Sequence, residues 1–183
     1  DTISELGSHC RALGLGSRVA VIVDRALQAT FAPKAIASLR DQGFDPLEIE
    51  FTGSDAAKNL ATAEEIFGRL IEAELDRGSW VLALGGGVVG DMGGFVAATY
   101  LRGIKLVQVP TSLTAMVDSS IGGKTAVDLP AAKNLVGAFY HPELVLTDAS
   151  ALATLPERAM REGWAEALKH GFALDARLVE TYE

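Results

Sequence analysis

A glycine-rich stretch, "LGGGVVGDMGGF" at residues 84–95, carries one acidic residue, Asp91. Gly85, Gly87 and Gly90 match the G-x-G-x-x-G spacing, which lets backbone N–H groups approach a pyrophosphate at a helix N-terminus. A tight packing turn between a strand and a helix would need glycines in the same way. The usual dinucleotide fingerprint follows the first strand of a domain and has an acid about 20 residues later, and neither holds here. The stretch therefore predicts a phosphate or dinucleotide site that is not an ordinary Rossmann one.

A second stretch, residues 109–134, combines hydroxyl side chains and glycines with Asp118, Lys124, Lys133 and Asn134. Lysines can bind a phosphate as point charges, while carboxylates and amides can fix sugar hydroxyls. The stretch thus fits a phosphorylated polyol, and a polar surface loop is the alternative. Its "GGKT" segment resembles a P-loop only in part, because the first glycine of that motif is replaced by Asp118, and we reject a P-loop.

A third stretch, "EGWAEALKHG" at residues 162–171, brings Glu162, Glu166, Lys169 and His170 within about two helical turns. Glu166 and His170 share one helix face by their i,i+4 spacing and could begin a zinc site. A catalytic zinc usually has three protein ligands, however. On spacing alone, a ladder of surface ion pairs is the favoured interpretation.

The elements that would position these residues alternate along the chain. Apolar runs predict buried strands, and apolar residues at helical spacing predict the helices between them. The strands are expected at 18–23, 45–51, 80–84, 104–109 and 142–148, and the helices at 26–42, 62–78, 91–100 and 155–174. This order predicts an α/β fold with a parallel sheet covered by helices on both faces. Ligands of such sheets bind beyond the carboxyl ends of the strands, where the glycine-rich stretch lies.

Composition excludes several classes of function. The chain has 183 residues, a formal net charge of −8 and no cluster of basic residues, which argues against nucleic-acid binding. Its single cysteine excludes a disulfide framework and fits a reducing cytoplasm. No apolar run reaches the roughly 18 residues of a membrane span, and no signal peptide is recognised, so we expect no membrane partner.

Together, the motifs "LALGGGVVGDMGGFVAATYLRGI", "QVPTSLTAMVDSSIGGKTAV", "KNLVGAFYHP", "LATLPER" and "GWAEALKHG" closely resemble those of the 3-dehydroquinate synthases, which are sugar-phosphate cyclases. The resemblance covers essentially the whole chain. It implies a Rossmann-like NAD-binding α/β domain over residues 1–150. Residues 151–183 would begin an all-helical metal-binding domain, so the chain resembles a piece of a longer enzyme.

The resemblance also implies an activity. Members convert 3-deoxy-D-arabino-heptulosonate 7-phosphate to 3-dehydroquinate and phosphate in the shikimate pathway, with NAD used catalytically and regenerated. A divalent metal, zinc or cobalt, polarises the alcohol that is oxidised. The implied partners are a small phosphorylated sugar-acid substrate and a second copy of the chain in a cytoplasmic homodimer.

Roles carried over from the family fall on matching positions of this sequence. Substrate-holding, catalytic roles are implied for Asp118, Lys124, Asn134 and Lys169, and a metal-ligand role for Glu166. Cofactor contacts are implied for Asp24, Asp55, Lys58, Gly87, Val88, Val89, Gly90, Asp91, Thr111, Ser112, Lys124, Lys133, Ala151, Leu152, Ala153 and Thr154.

Some positions depart from the family pattern. Asp55 stands where glutamate is usual, Ser112 replaces a threonine, and Asp128 replaces an asparagine. The two remaining metal ligands of the family are histidines further downstream, and none of the histidines here matches them. We therefore expect His170 to have a structural role.

Two other interpretations remain open. The first is a sister sugar-phosphate cyclase of the valiolone or inosose type, which would share the cofactor residues and differ in the substrate pocket. The second is a non-catalytic nucleotide-binding or oligomerisation module, which the unmatched metal histidines favour. The glycerol-dehydrogenase type ranks lower, because it lacks the "DSSxGGKT" and "KNxxGAF" patterns present here.

Overall fold

A five-stranded parallel sheet forms the centre of the computed structural model, which describes residues 2–182. Its strand order is β2-β1-β3-β4-β7, and every neighbouring pair is parallel. The strands are β1 (Arg18–Asp24), β2 (Asp45–Phe51), β3 (Trp80–Gly85), β4 (Lys105–Pro110) and β7 (Leu144–Val145). The predicted parallel α/β fold is therefore confirmed.

Helices cover both faces of this sheet. Helices α1 (Leu6–Ala12) and α2 (Phe31–Asp41) lie on one face, and α3 (Leu60–Glu72) and α4 (Gly87–Thr99) lie on the other. Two further helices, α5 (Glu157–Ala173) and α6 (Arg177–Tyr182), follow the sheet in the chain. The fully buried strand β3 shows how the two faces divide. Trp80, Leu82 and Leu84 pack into a core with α1 and α2, whereas Val81 and Ala83 pack into a core with α3 and α4. Alternate side chains of a strand point to opposite faces, so one apolar run supplies both cores.

Several element boundaries differ from the expected ones. Helix α4 begins at Gly87 rather than at Asp91, because Gly86 is extended and the next glycine already takes helical geometry. Helix α3 ends at Glu72, before Glu74, whose φ of 52° cannot continue a helix. The expected helix 26–42 begins only at Phe31, after a 3₁₀ turn, and the expected strand 142–148 shortens to two residues.

An antiparallel hairpin, β5 (Lys124–Leu129) with β6 (Ala132–Phe139), was not predicted. Most of β6 is exposed, so its sequence lacks the alternation of buried and exposed residues that marks a strand. The hairpin packs against α4 at Gly94, where a Cβ atom would lie 2.3 Å from Thr125 Cγ2. A glycine is required there for the two elements to approach this closely.

The chain continues beyond the sheet as a 3₁₀ helix, Ala149–Thr154, and then as α5 and α6. The division into domains at residue 150 stays a prediction. Across residues 2–182, the structure contains no helix that is long and apolar enough to span a membrane.

Candidate functional site

The glycine-rich turn lies at the carboxyl ends of β3 and β4, where the fold predicts a ligand. The Thr111 N–H donates to the Gly85 carbonyl at 2.9 Å and joins the two strand ends. The Ser112 hydroxyl accepts a bond from the Ala115 N–H. Gly86 is the N-cap of α4, and no described side chain caps this helix terminus. The N–H groups of the first turn can therefore receive an anionic group such as a pyrophosphate.

Asp91 lies one turn beyond Gly87 on the same face of α4, which directs it to the ligand side of the turn. Its side chain is 20% exposed, and its Oδ2 atom lies 2.5 Å from Lys58 Nζ. Burial raises the pKa of Asp91, and the hydrogen bond from Lys58 opposes that shift. Lys58 is buried, and its Nζ also lies 2.5 Å from Asn134 Oδ1. One ammonium group thus joins the glycine-rich turn to the hairpin.

The other residues assigned to the cofactor lie around this edge of the sheet. Asp24 ends β1, and its Oδ1 accepts the Ala26 N–H. Asp55 and Lys133 form an ion pair at 2.5 Å in which both side chains are largely exposed. Val88 and Val89 belong to the first turn of α4, next to Gly87 and Gly90, and Ala151, Leu152, Ala153 and Thr154 lie in the 3₁₀ helix after β7.

A cleft of about 450 Å³ lies beside the hairpin and is lined by hairpin residues, by residues 118–119 and by Asp91 of α4. Its lining includes Asp91 together with Asp118, Lys124 and Asn134, which are three of the four residues predicted to hold the substrate. Lys124 Nζ lies 3.4 Å from Asp118 Oδ1. A cation, a carboxylate and an amide therefore face one space that borders the glycine-rich turn. This arrangement suits a ligand that carries hydroxyl groups and an anionic group.

The backbone of Asn134 is unusual, with φ at +60°. Its N–H donates to Asp128 Oδ1 at 2.9 Å, which fixes this left-handed conformation. Asp128 is the residue that departs from the family pattern, and its carboxylate still accepts this hydrogen bond. Gln108 is also buried, and its Nε2 donates to the Gly90 carbonyl at 3.1 Å, anchoring the first turns of α4 on β4. Gln108 was not among the predicted site residues, although a polar residue within the apolar run of β4 is a visible signal in the sequence.

Helix α5 brings Glu166, Lys169 and His170 to the same region. A Cβ atom on Gly163 would lie 2.4 Å from Leu113 Cβ, so the glycine allows α5 to pack closely against the segment that ends in a π turn, Ala115–Ser119. Lys169 Nζ contacts Glu166 Oε1, and this hydrogen bond raises the pKa of Lys169.

His170, expected to be structural, lies beside the predicted metal ligand. Its Nε2 atom is 3.6 Å from Glu166 Oε1. Asp118, from the π turn, completes a group whose potential ligand atoms all lie within 4.8 Å of one another. The predicted metal ligand therefore sits among further groups that can bind a cation.

Residues 48–162 match the family model described as 3-dehydroquinate synthase N-terminal. The chain belongs to this family. The 3-dehydroquinate synthase of Pelobacter propionicus is 51% identical over 182 residues, which are 100% of this chain and 51% of that protein. The synthase of Geobacter metallireducens is 49% identical over 97% of this chain and 49% of its own length. The chain thus spans about half the length of these relatives.

Solved structures of related cyclases share the fold of this synthase-family chain. A 2-deoxy-scyllo-inosose synthase complexed with carbaglucose-6-phosphate, NAD⁺ and Co²⁺ has a TM-score of 0.84 and 29% identity, over 91% of this chain and 46% of that one. A 2-epi-5-epi-valiolone synthase from Streptomyces hygroscopicus with NAD⁺ and Zn²⁺ has a TM-score of 0.85 and 31% identity, over 94% and 48%. A glycerol dehydrogenase from Schizosaccharomyces pombe, at 16% identity and a TM-score of 0.73, shares the fold alone, over 91% of this chain and 39% of that one.

Proposed function

We propose that this chain is the NAD-binding part of a 3-dehydroquinate synthase. The enzyme would convert 3-deoxy-D-arabino-heptulosonate 7-phosphate to 3-dehydroquinate and phosphate, as a phosphate-eliminating carbon–oxygen lyase. The observation that carries the proposal is the cleft that Asp91 shares with Asp118, Lys124 and Asn134. It would allow one small ligand to meet both the cofactor residues and the substrate residues. The sequence identity of 51% and 49% to two 3-dehydroquinate synthases, over nearly the whole chain, supports the same choice.

The glycine-rich turn suits NAD through its hydrogen-bond donors and through its lack of negative charge. The uncapped N-terminus of α4 offers N–H groups to a pyrophosphate, and the first turn contains no acidic residue to repel it. Asp91, one turn further, would accept hydrogen bonds from ribose hydroxyls. NAD, when bound, would supply reversible hydride transfer at a secondary alcohol of the substrate.

The remaining side chains would bind and orient the substrate. Lys124 and Lys169 provide positive charge for the carboxylate and phosphate groups, and Asp118 and Asn134 provide partners for hydroxyls. Glu166 would hold a divalent metal, zinc or cobalt, which would act as a Lewis acid when bound. The proposal includes a cytoplasmic homodimer, as is usual in the family.

A second candidate is a sister cyclase that acts on another sugar phosphate. The similarity to the inosose and valiolone synthases, at TM-scores of 0.84 and 0.85, favours it. Their identities of 29% and 31% are well below those to the 3-dehydroquinate synthases. The first candidate is therefore the preferred one, and a panel of sugar phosphates given to the complete enzyme would separate the two.

Calorimetric titration of the chain with NAD⁺ tests the cofactor assignment. We expect binding by the unmodified chain and its loss in Asp91→Ala. Asp41→Ala serves as the matched control, because Asp41 is an exposed aspartate at the end of another helix, α2. Equal binding by all three proteins would contradict the role of Asp91. Absence of binding by a folded chain would contradict a self-sufficient cofactor site.

A further inference from the structure

We propose that Gln108 is a positioning residue for the dinucleotide site, and that its side-chain amide fixes the first turn of α4 for the pyrophosphate. Gln108 lies on β4 and does not belong to the glycine-rich turn itself. Its Nε2 atom donates a hydrogen bond to the Gly90 carbonyl at 3.1 Å. This inference rests on the proposed function, since it assigns to Gln108 a role in the binding of NAD.

The surroundings of Gln108 make its polar side chain unexpected. Strand β4 is buried from Leu106 to Pro110, and Gln108 itself is only 4% exposed. Burial of an amide costs free energy that an apolar side chain of similar size would not cost. The hydrogen bond to the Gly90 carbonyl offsets part of this cost. The amide therefore serves α4, because packing of the core alone does not require a polar group here.

The backbone of α4 lies directly on the sheet at this position. A Cβ atom on Gly90 would lie 2.8 Å from Gln108 Oε1, and one on Gly93 would lie 2.7 Å from Ala83 Cβ. Ala83 and Gln108 are register partners on β3 and β4. Ala83 offers only van der Waals contact, whereas Gln108 also offers a directional hydrogen bond. The bond to Gln108 therefore fixes how α4 is rotated on the sheet.

Two hydrogen bonds from β4 and its end enclose the glycine-rich turn. The Thr111 N–H donates to the Gly85 carbonyl on one side of the turn, and Gln108 donates to the Gly90 carbonyl on the other. Residues 87–89 lie between these two points and begin α4. The first N–H groups of an α-helix have no partner within the helix, so these are the groups that a pyrophosphate would meet. Holding them in place before binding increases affinity, since less order must be created when the ligand arrives.

Calorimetric titration with NAD⁺ of two variants of the 183-residue chain tests the inference. Gln108→Met keeps about the length of the side chain and removes the amide. Tyr100→Phe is the matched control, because it also deletes one hydrogen bond from a buried side chain to a backbone carbonyl, that of Leu75 at 2.9 Å. Tyr100 lies at the opposite end of α4. We expect NAD⁺ to bind about tenfold more weakly to Gln108→Met and with unchanged affinity to Tyr100→Phe.

Amide hydrogen exchange, followed by NMR without cofactor, measures the order of the turn itself. The Gly90 N–H donates to the Gly86 carbonyl and reports on the first turn of α4. We expect this N–H to exchange faster in Gln108→Met, by more than the change in global unfolding free energy explains. In Tyr100→Phe, its exchange should change only as much as global unfolding does. Urea denaturation supplies the global value and verifies that each variant is folded.

Unchanged NAD⁺ affinity in Gln108→Met, or equal weakening in both variants, would overturn the inference. Exchange of the Gly90 N–H that follows global unfolding alone in Gln108→Met would overturn it as well. Failure of the folded, unmodified chain to bind NAD⁺ would count against the proposed function instead. The exchange measurement needs no cofactor, so it would still decide whether Gln108 fixes the turn.

Discussion

Removal of the buried charge on Lys58 should destabilise the fold through Asp91. Lys58→Met keeps most of the length of the side chain and deletes the ammonium group that lies 2.5 Å from both Asp91 Oδ2 and Asn134 Oδ1. Breaking one partner of a buried ion pair costs about 3–5 kcal/mol. The Asp91 side chain retains 20% exposure, so we expect a loss near the lower limit, about 3 kcal/mol of unfolding free energy.

The size of this loss should depend on pH. Burial already raises the pKa of Asp91, and Lys58 opposes the rise, so Lys58→Met should raise that pKa further. When the pKa of a carboxyl group is higher in the folded state than in the unfolded state, the free energy of unfolding falls as the pH rises from the unfolded pKa through the folded one. The difference between variant and unmodified chain should therefore be largest at neutral pH and smaller near pH 4, about the pKa of an unfolded aspartate.

A double-mutant cycle in urea measures the coupling directly. The four proteins are the unmodified chain, Lys58→Met, Asp91→Asn and the double variant. We expect the double variant to be about 2 kcal/mol more stable than the sum of the single effects predicts, because Asp91→Asn removes the charge that Lys58→Met leaves unpaired. Additivity within about 0.5 kcal/mol, or a loss that does not change with pH, would refute this account of the pair.

Two further predictions concern the packing around the site. Asp148 is buried and accepts hydrogen bonds from Ser150 and Ile3, which lower its pKa to about 2 from 3.8. Asp148→Asn should therefore cost about 2 kcal/mol at pH 7, and urea denaturation at several pH values should show this difference disappearing as the pH falls from about 4 towards 2. Gly163→Ala should reduce the free energy of unfolding by about 1–3 kcal/mol, because the new methyl group is overpacked against Leu113. The melting temperature should therefore fall. Gly68→Ala is the control, because Gly68 faces open space on α3. It should raise the melting temperature, since alanine is the better helix former. A fall of the melting temperature in both variants would contradict the packing argument.

The central strands could be predicted because their signal is local. The run of β1 is buried at nearly every position, and β3 is buried throughout. Such runs occur where a sheet is covered on both faces, so their burial is visible in the sequence itself. The short β7 has no comparable run. Its prediction over 142–148 was too long, because only Leu144 and Val145 find ladder partners on β4.

The hairpin and the grouping of Asp118 with Glu166 and His170 could not be predicted, because their signals are not local. β6 alternates little in burial and is defined by its pairing with β5, for example Val136 opposite Val127. The approach of His170 to Asp118 depends on how α5 packs at Gly163, a contact between segments far apart in sequence. Spacing along the chain places Glu166 and His170 on one helix face but does not indicate what that face meets.

The cofactor and substrate parts of the cleft are physically joined, although the sequence presents them as separate motifs. Lys58 lies 33 residues before Asp91 and 76 before Asn134, and its ammonium group bonds to both. A ligand that draws the Asp91 carboxylate towards itself weakens one of the two bonds that fix this ammonium group. The Asn134 amide oxygen is held by the same ammonium group, so the position of Asn134 should respond as well. Substitutions on either side of the cleft should therefore be interpreted as pairs, and the cycle at Lys58 and Asp91 measures the first link of this network.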